Sequence, residues 1–209
     1  SNKKISKSYL RPILDFITRY GKFAFLILFL ISLYRIADVV MGVMANIFYL
    51  EKGYKISEIA TFSKFFGVFA TIFGGFIGGY CSYKFGTMKA LFFGALVAAL
   101  SNLLFAWLAI SPISINFLIA VITADNVSSG FAGAAFVIYL SGLTSIKFTA
   151  TQYALFSSIM LFLPKLIAGY AGSWVDVMGY AYFFSLTALL GLPVLYLIIW
   201  IGRVAPIRN

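Results

Sequence analysis

Apolar residues in this chain neither alternate with polar ones nor keep to a single helical stripe; they run on. Six stretches are apolar almost throughout: Phe23–Ile47, Ser57–Tyr80, Met88–Ile110, Asn116–Leu140, Gln152–Val175 and Tyr180–Ile201. A bilayer core takes roughly 20 mostly apolar residues per helix. Long apolar runs without two-residue alternation predict spanning helices rather than barrel strands. The connections are short, and Ser111-Pro112 and Met178-Gly179 are strong breakers. Ahead of the first stretch the pattern changes. Leu10, Ile13, Leu14 and Ile17 fall at i, i+3, i+4, i+7, with Arg11, Asp15 and Arg19 away from that face. That spacing predicts a short amphipathic helix on the membrane surface, a solvated linker being the alternative. The expected organisation is a basic linker with an interfacial helix over residues 1–22, a six-helix transmembrane bundle over 23–201 and a tail over 202–209.

Composition agrees: 62% of residues are hydrophobic and 11% charged, against about 45–50% and about 25% in soluble domains. This is an integral membrane protein. A single cysteine, Cys81, provides no disulfide framework, and the absence of histidine removes histidine-based triads and histidine metal sites. The net charge of +10 would suit nucleic acid, but its placement follows topology instead. Lys3, Lys4, Lys7, Arg11, Arg19, Lys22, Lys84, Lys89, Lys147, Arg203 and Arg208 collect on one side, and only Lys52 and Lys55 on the other. The positive-inside rule then puts both termini in the cytoplasm.

The two halves of the sequence repeat each other. Ala37-Asp38-Val39-Val40 matches Ala124-Asp125-Asn126-Val127, and Ala60-Thr61-Phe62-Ser63 matches Ala154-Leu155-Phe156-Ser157. Gly79 and Gly86 correspond to Gly172 and Gly179, and Ala90-Leu91-Phe92-Phe93 to Ala181-Tyr182-Phe183-Phe184. Three spans per copy is an odd number, so the second copy is inverted. Inverted three-plus-three repeats are how many secondary transporters build a site near the midplane.

Five ionisable residues fall inside the spans: Arg35, Asp38, Lys64, Asp125 and Lys165. At about 2.5–3.5 kcal/mol each, five facing lipid would cost on the order of 12–18 kcal/mol, so they are expected to face protein or water. With about 1.5 Å rise per residue they fit a slab roughly 10 Å thick. The structural alternative pairs Asp38 with Arg35, and Asp125 with Lys64 or Lys165. Three cations against two anions suit an anionic substrate. Asp38 and Asp125 are the candidates to carry a proton. Asn46, Asn102, Asn126 and Gln152 are candidate polar lining. Gly130-Phe131-Ala132-Gly133-Ala134-Ala135, and Gly75 with Gly79, read as small-residue packing. Pro164, directly before Lys165, is expected to kink the fifth helix. No metal-ligand cluster, phosphate-cradling loop or nucleophile arrangement is present, so neither a cofactor nor an enzyme is expected.

The stretches "LYRIADVVMGVMANIFY" (33–49), "SKFFG" (63–67), "ITADNVSSGFAGAAFVIYLSGLT" (122–144), "FTATQYALFSS" (148–158) and "ALLGLPVL" (188–195) resemble the C-terminal half of the AmpG-type muropeptide permeases of the major facilitator superfamily. The resemblance runs from about Asp15 to Ile201. It implies one six-helix half of a twelve-helix alternating-access importer in the bacterial inner membrane. Such importers use the proton gradient to bring in anhydromuropeptides, the carboxylate-bearing fragments of wall recycling. The loop Gly79–Lys89, with Lys84 and Gly86, resembles the superfamily's gating motif, although Tyr83 and Lys84 stand where an acid and an arginine are usual. The resemblance also implies a partner: a first six-helix half, whether on a longer chain or on a separate polypeptide. A non-transporting remnant or scaffold, and a transporter half for another acidic conjugate such as an acyl-coenzyme A, are the alternatives.

Overall fold

Hydrocarbon offers no partner for backbone N–H and C=O groups, so a chain this apolar must satisfy them internally, and it does so with helices alone. The computed structural model describes the backbone of residues 2–204 and side chains from Arg11 onward. Residues 205–209, Arg208 among them, and the side chains of Lys3, Lys4, Lys7 and Leu10 lie outside the described residues. Among the described residues there is no strand, and six helical segments are long and apolar enough to cross a membrane. The architecture is consistent with a six-helix major facilitator half.

Helix α1 (Asn2–Tyr20) precedes the first span. That span consists of α2 (Ala24–Leu33) and α3 (Ile36–Lys52), separated by a break at Tyr34–Arg35. Hydrogen bonds from Tyr34 N–H to Leu30 O and from Val39 N–H to Arg35 O, both 2.9 Å, flank the break. The second span is α4 (Ile56–Phe62), a π turn over Ser63–Gly67 and α5 (Val68–Phe85). The third and fourth are the uninterrupted α6 (Thr87–Ile110) and α7 (Ile115–Leu143). Helices α8 (Thr149–Ala168), α9 (Ala171–Leu189) and α10 (Gly191–Val204) make the fifth and sixth. The chain reverses inside α9 at Gly179, whose φ of 76° and ψ of 165° belong to a region that only glycine visits without strain. The fifth helix, expected to run on to Val175, instead breaks at Gly169–Tyr170. Pro164 does not interrupt α8, which continues to Ala168.

Helix pairing has the symmetry expected of the repeat. The second span packs on the fourth as the fifth packs on the first; the third packs on the fourth as the sixth packs on the first; the third and sixth pack on each other. An exchange of spans one, two and three with four, five and six gives those pairs; the contact of the first span with the third has no counterpart of similar extent between the fourth and the sixth.

The closest packing joins α5 to α7. A Cβ added to Gly74 would lie 2.1 Å from Val127 O, one on Gly78 2.4 Å from Phe131 O, and one on Gly130 2.1 Å from Thr71 O. Only glycine permits this backbone approach. Of the pair expected from the sequence, Gly75 is at the contact, its backbone N lying 3.0 Å from where a Cβ of Gly130 would be, whereas a Cβ on Gly79 meets nothing within 4 Å.

Each end of the bundle is tied. At the end where α3 finishes, Lys52 Nζ donates to Ala109 O and Ser111 O at 3.0 and 2.8 Å, satisfying carbonyls at the C-terminus of α6. Tyr180 donates to Glu51 at 2.9 Å. At the other end Phe16 of α1 is buried against Phe156, with ring centroids 5.0 Å apart. Ile13, Leu14 and Ile17 of the same helix stay exposed.

Candidate functional site: a charged layer on spans one and four

Arg35 sits at the break in span one, where the helix loses its regular turn, and forms an ion pair with Asp38 one turn further on. Its guanidinium also reaches α7. Nη2 donates to Ser129 Oγ at 3.3 Å, and Nη1 lies 3.6 Å from where a Cβ of Gly133 would be. Residues 125, 129 and 133 share one face of α7 at i, i+4, i+8, so Arg35 lies along the stripe that begins with Asp125. Ser128 Oγ is 2.8 Å from Asp125 O and 3.2 Å from Ser101 Oγ of α6, which ties that turn to span three. Asp125 Oδ1 and Arg35 Nε are both enclosed and make no hydrogen bond within the protein. Two carboxylates and one cation therefore gather between spans one and four, and only one carboxylate is paired.

The other expected members are placed differently. Asn126 donates to Ile122 O at 2.8 Å and accepts from Thr71 Oγ1 at 3.0 Å, against the π turn of span two. Its amide lies 3.3 Å from a Cβ position on Gly67, so the turn closes directly over it. Lys64, inside that turn, is exposed, as are Lys165 and Asn46. Among the described residues neither lysine pairs with Asp125; the ion pairs are Arg35–Asp38 and Arg19–Asp15.

Asn102 and Gln152 are fully buried. Asn102 Nδ2 donates to Ala37 O at 3.3 Å and Thr187 Oγ1 at 3.2 Å, joining spans one, three and six beside the break. Gln152 is the hub of a clamp at the basic end. Its Nε2 donates to Pro12 O at 2.8 Å and Asp15 Oδ2 at 3.0 Å, while its Oε1 accepts from Ser145 N at 2.7 Å and Arg19 Nη2 at 3.1 Å. Arg19 also caps the end of α7 through Leu143 O at 3.0 Å. The stretch Gly79–Lys89, expected as a loop, is helical on both sides: α5 runs to Phe85 and α6 starts at Thr87, so only Gly86, with φ 89°, stands outside a helix and turns the chain. Lys84 lies over the Tyr80 and Phe85 rings, and Lys89 is exposed at the start of α6.

Ser101 and Thr71 complete this network without having stood out in the sequence, unlike Ser128 and Ser129 next to Asp125, since single hydroxyls in an apolar run are common helix fillers that bond their own backbone. Beside Ser101 and Ser128 an apolar groove of about 570 Å³ opens between spans two, three and four, lined by Ile77, Val97, Leu100, Leu104, Val127 and Phe131.

No protein-family model matches the chain. Curated relatives do. A Rickettsia felis protein named "Putative transporter AmpG 4" is 36% identical over 194 residues, covering 93% of this chain and 46% of the relative. Its Rickettsia conorii namesake is 35% identical over 193 residues, covering 92% and 46%. "Putative transporter AmpG 1" of Rickettsia bellii is 33% identical over 195 residues, again covering 92% and 46%. The chain spans about half the length of the curated relatives it matches. With six span-capable helices and such relatives aligned over nearly all of its length, the chain is a multi-pass membrane protein similar to about half the length of Rickettsia proteins that carry the AmpG transporter name.

Proposed function

We propose that the chain is half of a proton-coupled secondary transporter that imports anhydromuropeptides across the bacterial cytoplasmic membrane, with both termini cytoplasmic and a second six-helix bundle completing the path. The observation that carries this reading is the unequal state of the two carboxylates in the charged layer. Asp38 is neutralised by Arg35, so protonating it would strand a cation in the membrane interior. Asp125 has no such partner among the described residues, and one of its oxygens is enclosed without a donor. It can take up and release a proton without uncovering an opposite charge. In this reading Asp125 couples the proton, and Arg35, Lys64 and Lys165 supply positive potential for carboxylate-bearing cargo, with Asn46 and Asn126 as polar lining. Asn102 and Gln152 hold the helices that carry these groups. The stretch with Gly79, Lys84, Gly86 and Lys89 serves the gate at the cytoplasmic end.

Uptake of labelled anhydromuropeptide into permease-deficient cells tests the proposal, with the chain expressed alone and together with a matching first half. Uptake is expected only with both halves, and Asp125→Asn is expected to abolish accumulation while leaving membrane insertion intact. Normal accumulation in that variant would remove Asp125 from coupling; no uptake in any combination, with insertion verified, would overturn the proposal. The apolar groove beside Ser101 and Ser128 favours one competing cargo, an acidic conjugate with an acyl chain. A competition panel pitting an acyl-coenzyme A against muropeptide separates the two.

A further inference from the structure

Spans three and six carry no ionisable residue between Lys89 and Ile110 or between Tyr180 and Gly202, as surfaces bathed in acyl chains should. At the basic end of the bundle they leave a groove of about 270 Å³. Met88, Phe92 and Phe93 of α6 line it on one side, and Ile198, Ile199 and Gly202 of α10 on the other. A Cβ on Gly202 would lie 3.7 Å from the Met88 terminal methyl, in ordinary van der Waals contact, so the two helices come close at this point. The same proximity brings the start of α6 and the end of α10 to one level. Lys89, which borders the groove, and Arg203, next to Gly202, are both exposed there. None of the chain's acidic residues lies on either helix, so both cations are free of a carboxylate on the elements that form the groove.

We propose that this groove binds an anionic phospholipid, the phosphate between Lys89 and Arg203 and the upper methylenes against Phe92, Phe93 and Ile199. From Met88 to Phe93 the groove runs about 7 Å along the helix axis, enough for the part of an acyl chain next to the headgroup. Charge complementarity selects the occupant. A soluble anion leaves the apolar walls unfilled, and a zwitterionic lipid brings its own cation up to two others. Basic pockets between spanning helices are the usual way a membrane protein holds an acidic headgroup.

Native mass spectrometry of the full chain, extracted in mild detergent and equilibrated with phosphatidylglycerol, phosphatidylcholine or inorganic phosphate, tests the site. Phosphatidylglycerol is expected to remain bound in preference to the other two. Lys89→Ala and Arg203→Ala should each lower its occupancy about fivefold, and Lys89→Arg should retain it. Gly202→Leu, which fills the groove, should displace it with both cations in place. Lys89→Gln gives a milder charge-removing variant if the alanine forms insert poorly. Equal retention of both phospholipids, unchanged phosphatidylglycerol occupancy in the charge variants, or phosphate binding as well as the lipid would each overturn the proposal.

Discussion

At the scale of single residues, the charged layer turns on how one arginine is shared. Arg35 and Asp38 have side-chain exposures of 24% and 9%, low enough that solvent screens them little. Removing one member of a buried pair costs more than the pair itself contributes, because the survivor is left charged and unsolvated. Asp38→Asn leaves the guanidinium with Ser129 as its remaining side-chain partner and is expected to cost on the order of 3–5 kcal/mol. Asp125→Asn exchanges an unpaired carboxylate for a neutral amide of the same shape and should change stability by less than about 1 kcal/mol. Unfolding of the purified chain in mixed micelles, titrated with dodecyl sulfate, checks both. Equal costs would mean that Arg35 serves both carboxylates, and Asp125 would lose its distinction as the group free to trade protons.

At the scale of elements, backbone contact between α5 and α7 is the tightest feature of the bundle. Gly74→Ala and Gly130→Ala each drive a methyl to about 2 Å from a carbonyl oxygen. The helices must part, at an expected cost of at least about 1–3 kcal/mol. Gly79→Ala meets nothing and should leave stability unchanged or raise it by up to about 1 kcal/mol through helix propensity. The same micelle titration separates them; a large loss at Gly79 would mean that the contact runs through the other register. That register shows where the sequence stops being legible. The run Gly74-Gly75-Phe76-Ile77-Gly78-Gly79 contains two small-x-x-x-small pairs one residue apart. They differ only by a rotation of about 100° around the helix, which the facing helix decides. Spans, turns at Gly86 and Gly179, and the repeat were readable because hydropathy and glycine mark them locally. The break at Tyr34–Arg35 was not, because no proline or glycine announces it, nor was the π turn over Ser63–Gly67, because a lone Gly67 reads equally as a packing glycine in a regular helix. Asn102 and Gln152 illustrate the same limit. A polar residue in an apolar run signals that something must satisfy it, but a substrate path and a structural clamp make the same demand.

At the scale of the whole molecule, the bundle sorts its polar groups by side. Ionisable residues within the membrane interior belong to spans one, two, four and five, while spans three and six, packed on each other, hold none. Lys64 and Lys165 are exposed on this chain, a position that about 2.5–3.5 kcal/mol per lysine would disfavour against lipid and that water or a second bundle would relieve. Single cysteines introduced into a Cys81→Ser background distinguish these environments. Lys64→Cys and Lys165→Cys should react in intact membranes with a charged, water-soluble maleimide. Leu192→Cys, also exposed but on span six, should stay unreacted, because a thiolate does not form in hydrocarbon. Co-expression with a matching first half should slow the reaction at Lys64→Cys and Lys165→Cys without abolishing it, as expected of a water-lined path between two bundles. Unreactive positions at 64 and 165 would place both lysines against acyl chains. The charged layer would then shrink to Arg35, Asp38 and Asp125, a cluster neutral when Asp125 is protonated, and an acidic cargo would lose the positive face that attracts it.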